Sequence, residues 1–284
     1  MEADGAGMSV QKRRVASVTT VDILIPALNE SESLPFVLTP LIKLREEGEL
    51  KQSKMTLRRI IVVDNGSTDE TAKVARDFGV DVVWAQNRGY GSACLAGIEA
   101  IRSAPPDVVL FLDADGSDDL SDLDSLLSLL SYKTGETLSK RERLVSTAAY
   151  RKHSNHDDRS TISMVIGSRA QFAKVGTLTP LQRFGNALSC RLLYFIFGSK
   201  FSDLGPFRAI RWSALELLEM ADKNFGWTVE MQAKACALNL LCAEIDVSYH
   251  PRRAGESKIS GSIRGSFRAG VKILWVIGQA WWKR

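Results

Sequence analysis

Two acids stand two residues apart in Asp113-Ala114-Asp115, directly after the apolar run Val108 to Leu112. If the chain turns there, both carboxylates point into one cleft. Magnesium keeps several of its waters and takes one or two carboxylates together with a substrate's phosphates, so such a pair suffices to hold it. Manganese suits the same oxygen ligands. The competing reading is that Asp-x-Asp pairs arise by chance and that acids often cap the next helix. Asp118, Asp119, Asp122 and Asp124 take that plainer reading. They fall in the first turns of a helix expected from Asp118 to Ser131, where the dipole favours negative charge.

The turn Asn87-Arg88-Gly89-Tyr90-Gly91-Ser92-Ala93 invites comparison with a dinucleotide fingerprint, and it fails. Cys94 stands where the third glycine belongs, and the strand-end acid Asp64 precedes the glycines instead of following them. That argues against hydride transfer. A glycine turn opening a helix still offers free amides to a phosphate or a sugar hydroxyl; a tight turn with close packing is the equal alternative. His153 and His156, with Asp157 and Asp158, imitate a metal cluster, but they lie in a polar stretch without a frame to fix their geometry.

Such groups need a frame, and the apolar runs provide it. Val21 to Pro26, Arg59 to Val63, Val80 to Trp84 and Val108 to Leu112 read as strands. Between them Ser31 to Arg45, Ser67 to Phe78 and Tyr90 to Arg102 read as helices, the second opened by a Ser67/Glu70 capping box. Further on, strands are expected at Met164 to Gly167, Phe207 to Ile210 and Leu240 to Val247, and helices at Leu181 to Phe197 and Val229 to Leu238. Strands alternating with helices, each a continuous apolar run, predict an α/β fold with a mostly parallel sheet covered on both faces. Ligands of such sheets bind beyond the carboxyl ends of the strands. Polar residues stand at those ends: Asn29 and Glu30, then Asp64, then Asp113 and Asp115.

The 284 residues can bury a sizeable core within one domain. Residues 1–20 read as a disordered leader, 132–161 as a polar insertion, Pro251 to Ser262 as a flexible loop, and 263–284 as an amphipathic helix. The four cysteines form no Cys-x-x-Cys pair, which predicts reduced thiols in the cytoplasm and no zinc site. No run approaches the length of a membrane span. The net charge of +4 is uneven, because the chain from His250 onward carries +7. A basic tail on a mildly acidic body suggests phosphate groups or an anionic membrane surface. Without a recognition motif it argues against nucleic acid as a partner.

Together these residues resemble glycosyltransferase family 2, with polyprenyl-phosphate sugar synthases as the nearest branch. The resemblance runs from Val21 to about Trp275. It rests on Ile25-Pro26-Ala27-Leu28-Asn29-Glu30, Val62-Val63-Asp64-Asn65-Gly66-Ser67-Thr68-Asp69, the Gly89 turn, Asp113-Ala114-Asp115, Gly167-Ser168-Arg169, Asp203 to Arg208, and Arg252 with Gly255-Glu256-Ser257-Lys258. It implies a GT-A fold over residues 21–262: one domain, with a mixed, mostly parallel sheet and helices on both faces. It also implies that Pro26, Ala27, Asn29, Glu30, Gly89 and Ala114 line the donor nucleotide and that Asp64 hydrogen-bonds its base. Asp113 would face ribose or metal, and Asp115 would bind the Mg2+ or Mn2+ that bridges the donor's phosphates. Arg169, Arg208, Arg252, Ser257 and Lys258 would meet phosphates or the acceptor.

The expected reaction is inverting transfer of a hexose from a nucleotide sugar, of the UDP-glucose or GDP-mannose type. Whether a base is needed depends on the acceptor. A hydroxyl must lose a proton, for which Glu230 and then Asp203 are the candidates; a phosphate monoester is already ionised at pH 7. Each acid also has a structural reading, Glu230 at a helix start and Asp203 bonded to backbone. A polyprenyl phosphate is the favoured acceptor, with the terminal helix, rich in Trp and Arg, as a peripheral contact on the cytosolic face of a membrane. Packing of that helix on the core is the alternative. A soluble hydroxyl acceptor, nucleotidyl transfer and a non-catalytic sugar-nucleotide-binding relative are the competing functions.

Overall fold

The apolar runs become the strands of a single sheet. The computed structural model describes residues 19–132, 136–145, 161–173, 177, 179–254, 275, 277–280 and 282. Its strands are β1 (Thr19–Ala27), β2 (Met55–Asp64), β3 (Asp81–Trp84), β4 (Val108–Phe111), β5 (Glu142–Leu144), β6 (Met164–Ser168), β7 (Arg208–Arg211) and β8 (Cys242–Asp246). They lie in the order β3-β2-β1-β4-β7-β6-β8-β5. Pairing is parallel for β1–β2, β1–β4, β2–β3 and β6–β8, and antiparallel for β4–β7, β6–β7 and β5–β8. Because β4 and β6 both run against β7, the carboxyl ends of β1, β2, β4, β6 and β8 share one edge.

Side chains alternate between the two faces of each strand. Ile23 and Ile25 of β1, Val62 of β2 and Leu110 of β4 pack on one side, against α1 (Leu34–Glu46) and α4 (Leu123–Ser128). Leu24, Ile61, Val63, Val109 and Phe111 pack on the other, against α3 (Tyr90–Ile101), α5 (Pro180–Phe197), α6 (Trp212–Leu218) and α7 (Trp227–Ala237). Both faces of the central strands are fully covered, which is why these strands read as unbroken apolar runs. The small α2 (Thr71–Asp77) leads into β3 at the edge.

Several expectations change. β1 begins at Thr19, inside the expected leader; residues 1–18 lie outside the described set. α2 starts at Thr71, and no side chain caps it. Ser67 is drawn away, because its hydroxyl accepts from Asn29 N at 3.0 Å and its amide donates to Asp64 at 2.8 Å. Helix α4 begins only at Leu123, after a 3-10 turn from Leu120, so Asp118 precedes any helix. The 132–161 insertion contains β5, whose Arg143 neutralises the buried acids Glu244 and Asp246 on β8 at 2.9 and 2.6 Å. The rest of that insertion that lies outside the described residues includes His153 and His156. All four cysteines are buried thiols outside any disulfide. In the terminal segment Ile277 and Ala280 are buried in the second core cluster, while Trp275 and Trp282 are exposed. Among the described residues no helix is long and apolar enough to cross a membrane.

Candidate active site at the carboxyl edge of the sheet

The chain leaves β1 through Asn29, held in the left-handed region at φ 51°. Asn29 can adopt it because a short amide side chain bonds locally, and here its Oδ1 accepts from Thr68 N at 2.7 Å. This ties the ends of β1 and β2 together. Glu30 follows, 7% exposed, and its amide donates to Thr71 Oγ1 at 2.8 Å. Pro26 and Ala27 are buried within β1, and Asp64, 2% exposed, ends β2 beside Ala27. Asp69 accepts from the amides of Ser31 and Thr71 and from the Thr71 hydroxyl. Desolvation would raise its pKa, but these bonds bring it down to about 2.

At the end of β4 the chain turns, with Gly116 at φ 70°. Asp115 is 5% exposed, and its Oδ1 accepts from Ser117 N at 2.9 Å. Its Oδ2 meets Arg252 Nε at 2.9 Å, while Arg252 Nη2 reaches Glu30 Oε1 at 3.1 Å. One guanidinium therefore bridges the ends of β1 and β4 from the loop after β8. Ala114 is buried beneath. Asp113 is held well above its ordinary pKa by burial and by Asp115 and Asp118. Asp118, absent from the expected site, turns inward: Oδ2 accepts from Asp113 N at 3.2 Å, and buried Oδ1 has no hydrogen-bond partner. Burial, followed by the charge of Asp115, pushes it up to about 7. A cavity of about 300 Å3 opens here, lined by Phe36, Val37, Pro40, Leu112, Asp118 and Arg253 among others.

Arg169, after β6, lies further along the edge. Its backbone amide and Nε donate to Asp203 Oδ2 at 2.8 and 2.7 Å, and Nη2 donates to Oδ1 at 2.9 Å. Its guanidinium also stacks 5.1 Å from the Tyr249 ring centroid. Burial would raise Asp203, but Arg169 outweighs it and holds the carboxyl below its ordinary pKa. The Gly89 turn is closely packed. Gly89 N donates to Asn65 Oδ1 at 2.7 Å, Gly91 N to Asn224 O at 3.3 Å and Ser92 N to Lys223 O at 2.9 Å. A Cβ on Gly91 would sit 1.9 Å from Asp222 O. The amides of Gly91 and Ser92 are thus spent on backbone carbonyls.

Two candidates are held by protein partners. Arg208 is 1% exposed, and its guanidinium donates to the carbonyls of Leu204, Gly205 and Thr228. Burial lowers its pKa to about 10. These bonds clasp β7 to α7. Glu230 accepts from Asp222 N at 2.8 Å and from Lys234 Nζ at 2.8 Å, with Ala221 N also in reach. That is the structural alternative of the two considered for it. Ser257 and Lys258 lie outside the described residues.

The structure thus brings Glu30, Asp113, Asp115 and Arg252 together. The donor set is all oxygen, which fits a hard divalent ion. Among the described residues no three potential ligands form a closed metal cage. An ion here would rest on Asp115 and Asp113, with the orphaned Asp118 oxygen behind them and substrate oxygens completing its shell. Arg252 now supplies the positive charge these acids require. Sequence alone gave no signal for Asp118, whose inward turn depends on where the helix begins.

Acids gathered at the carboxyl edge of an open α/β sheet stand where such folds bind their ligands. Residues 22–195 match the model of glycosyl transferase family 2, and the chain belongs to that family. An uncharacterized glycosyltransferase of Mycobacterium bovis is 34% identical over 249 residues, covering 88% of this chain and 94% of its own. An undecaprenyl-phosphate mannosyltransferase of Micrococcus luteus is 25% identical, covering 91% and 94% respectively. Among solved structures, glucosyl-3-phosphoglycerate synthase from Mycobacterium tuberculosis, in complex with Mn2+, UDP and glucosyl-3-phosphoglycerate, superimposes with a TM-score of 0.63 at 19% identity. That match covers 92% of this chain and 80% of the synthase, and it supports the GT-A fold.

Proposed function

We propose that this glycosyltransferase moves a hexose from a nucleoside-diphosphate sugar to a polyprenyl phosphate at a membrane surface, with a divalent ion at Asp115 and Asp113. The observation that carries the acceptor is the state of the two candidate bases. Asp203 is ion-paired and held ionised by Arg169, and Glu230 is occupied by two backbone amides and a lysine. Neither is free to draw a proton from a hydroxyl. A phosphate monoester needs no such help, since it is largely ionised at pH 7. Its oxygen attacks the anomeric carbon, the bond from that carbon to the diphosphate breaks, and the nucleoside diphosphate leaves with the electron pair. A bound divalent ion supplies Lewis-acid stabilisation of the leaving oxygen. Pro26, Ala27, Asn29, Glu30 and Asp64 hold the nucleotide, and Arg252 exchanges its carboxylate partners for donor phosphate. The Micrococcus relative, named for an undecaprenyl phosphate acceptor, supports this reading.

A second reading, transfer to a soluble acceptor, is favoured by the fold's likeness to the phosphoglycerate synthase. The two separate in one assay. Labelled UDP-glucose or GDP-mannose is incubated with manganese and either undecaprenyl phosphate or 3-phosphoglycerate. Label extracted into organic solvent, dependent on the lipid, is the expected result; label only in a water-soluble product overturns the lipid acceptor.

A further inference from the structure

Helix α5 holds eighteen residues, PLQRFGNALSCRLLYFIF, without a single Asp or Glu. Its ends are firmly set: Thr179 and Gln182 form a capping box, and Gly198 closes it at φ 74°. Ser189, Cys190, Leu193 and Phe197 are buried on its inner side. At the helical period, Phe184, Leu188, Arg191 and Phe195 fall within an arc of about 60° on the opposite side. Phe184 is 65% exposed, Leu188 38% and Phe195 78%. Scattered exposed apolar residues need no explanation, but a contiguous helix face does. Arg183 and Arg191 are exposed along the same helix.

A soluble surface helix turns charge outward and apolar groups inward. This one is apolar on both sides, and the charge within its outer arc, Arg191, is basic, with Arg183 on the flank. Apolar side chains edged by arginines, with no acid to repel lipid headgroups, match an anionic bilayer interface in charge as well as polarity. The terminal segment adds to this: Ile277 and Ala280 bury in the same core cluster as the inner side of α5, while Trp275 and Trp282 face solvent. Tryptophan favours the membrane–water boundary. The helix is also tied to the active edge. Asn186 donates to Ser202 O at 3.2 Å and accepts from Leu204 N at 2.8 Å, bracketing the Asp203 that pairs with Arg169.

We propose that the outer face of α5, formed by Phe184, Leu188, Arg191 and Phe195 with Arg183 on its flank, docks on an anionic lipid bilayer. Docking there would bring the edge of the sheet, tied to α5 through Asn186, to the surface that carries the acceptor. The proposal deepens the lipid-phosphate reading and rests on it for its purpose, yet the two are tested by different readouts. The full-length protein is floated with phosphatidylcholine vesicles, with and without phosphatidylglycerol. For F184S/L188S/F195S the partition coefficient should fall on the order of 10- to 100-fold. R183E/R191E, which keeps every apolar contact, should lose the preference for phosphatidylglycerol. Both should keep wild-type transfer to a short-chain, water-soluble prenyl phosphate, which shows that the fold and site are intact. Unchanged flotation of the triple variant overturns the proposal. So does a wild-type dimer in solution that the triple variant converts to monomer, since a second copy would then cover this face. Vesicle binding through α5 combined with transfer only to a soluble acceptor leaves the docking surface standing and removes the lipid acceptor.

Discussion

Replacing Arg252 with alanine separates a cation-bridged site from a merely polar one. The Asp115 and Glu30 side chains are each 7% exposed and that of Arg252 28%, so the substitution strands two buried carboxylates. Breaking a fully buried pair destabilises by about 3–5 kcal/mol; with one partner partly solvated the expected loss is about 1–3 kcal/mol. For a chain of this size that lowers Tm by about 2–10 °C. The sign of the metal effect carries the argument. In the wild type a divalent ion must compete with the guanidinium for Asp115, whereas in R252A that competition is removed. Manganese without donor should therefore raise Tm more in R252A than in the wild type. Differential scanning fluorimetry over a manganese titration measures both quantities. If apo R252A melts with the wild type, or manganese shifts the two equally, Arg252 does not hold the ion's place.

Other substitutions test the remaining assignments. E230Q should lose about 1–2 kcal/mol in urea unfolding through its weakened bonds to backbone amides, with kcat within about threefold of wild type; a hundredfold loss of kcat at unchanged stability would make Glu230 a base. D69N should lose stability at neutral pH. The Asp69 pKa is depressed from 3.8 to about 2, so its contribution is complete above pH 4 and fades as pH falls through 2. Since Asp69 is exposed, the loss should be about 1 kcal/mol, and the urea-midpoint difference between wild type and D69N should shrink steadily below pH 4 and vanish only at about pH 1. A difference that persists at that pH would place the effect elsewhere.

How much of this was legible follows from what each residue's neighbours in sequence reveal. The strands bearing Asp64 and Asp113 announced themselves because buried parallel strands are apolar on both faces. The capping box at Ser67 and Glu70 misled because Ser67 bonds to Asn29, 38 residues away, and a local pattern cannot see that partner. β5 was hidden for the same reason. Glu142-Arg143-Leu144 looks like a solvated loop until Glu244 and Asp246 are placed beside Arg143. Asp118 was read as a dipole acid because the expected helix began there. In the fold the helix starts later, and the carboxyl is left facing Asp113 and Asp115. The Gly89 turn, open to phosphate on paper, is closed by the carbonyls of residues 223 and 224, which arrive from across the chain.

The charges at the active edge set one further condition on binding. Glu30, Asp113, Asp115 and Asp118 gather there, against Arg252 and an Arg169 already matched by Asp203. A diphosphate brought alone would meet Asp115 and Glu30 while Arg252 is still bonded to them, whereas a divalent ion brought alone must displace Arg252 from Asp115. Each obstacle is lifted by the other ligand: the ion offsets the diphosphate, and the diphosphate draws Arg252 off the acids. Donor and metal should therefore bind with positive coupling, and linkage requires the factor to be the same in both directions. Calorimetric titration of the nucleotide sugar with and without manganese, and of manganese with and without the nucleotide sugar, measures the two factors independently. A coupling of about 1–3 kcal/mol, or roughly 5- to 150-fold, is expected for the wild type, and D115A should abolish it. Equal donor affinity with and without manganese would show that the edge tolerates the diphosphate unaided. In that case the acids serve the fold rather than the metal.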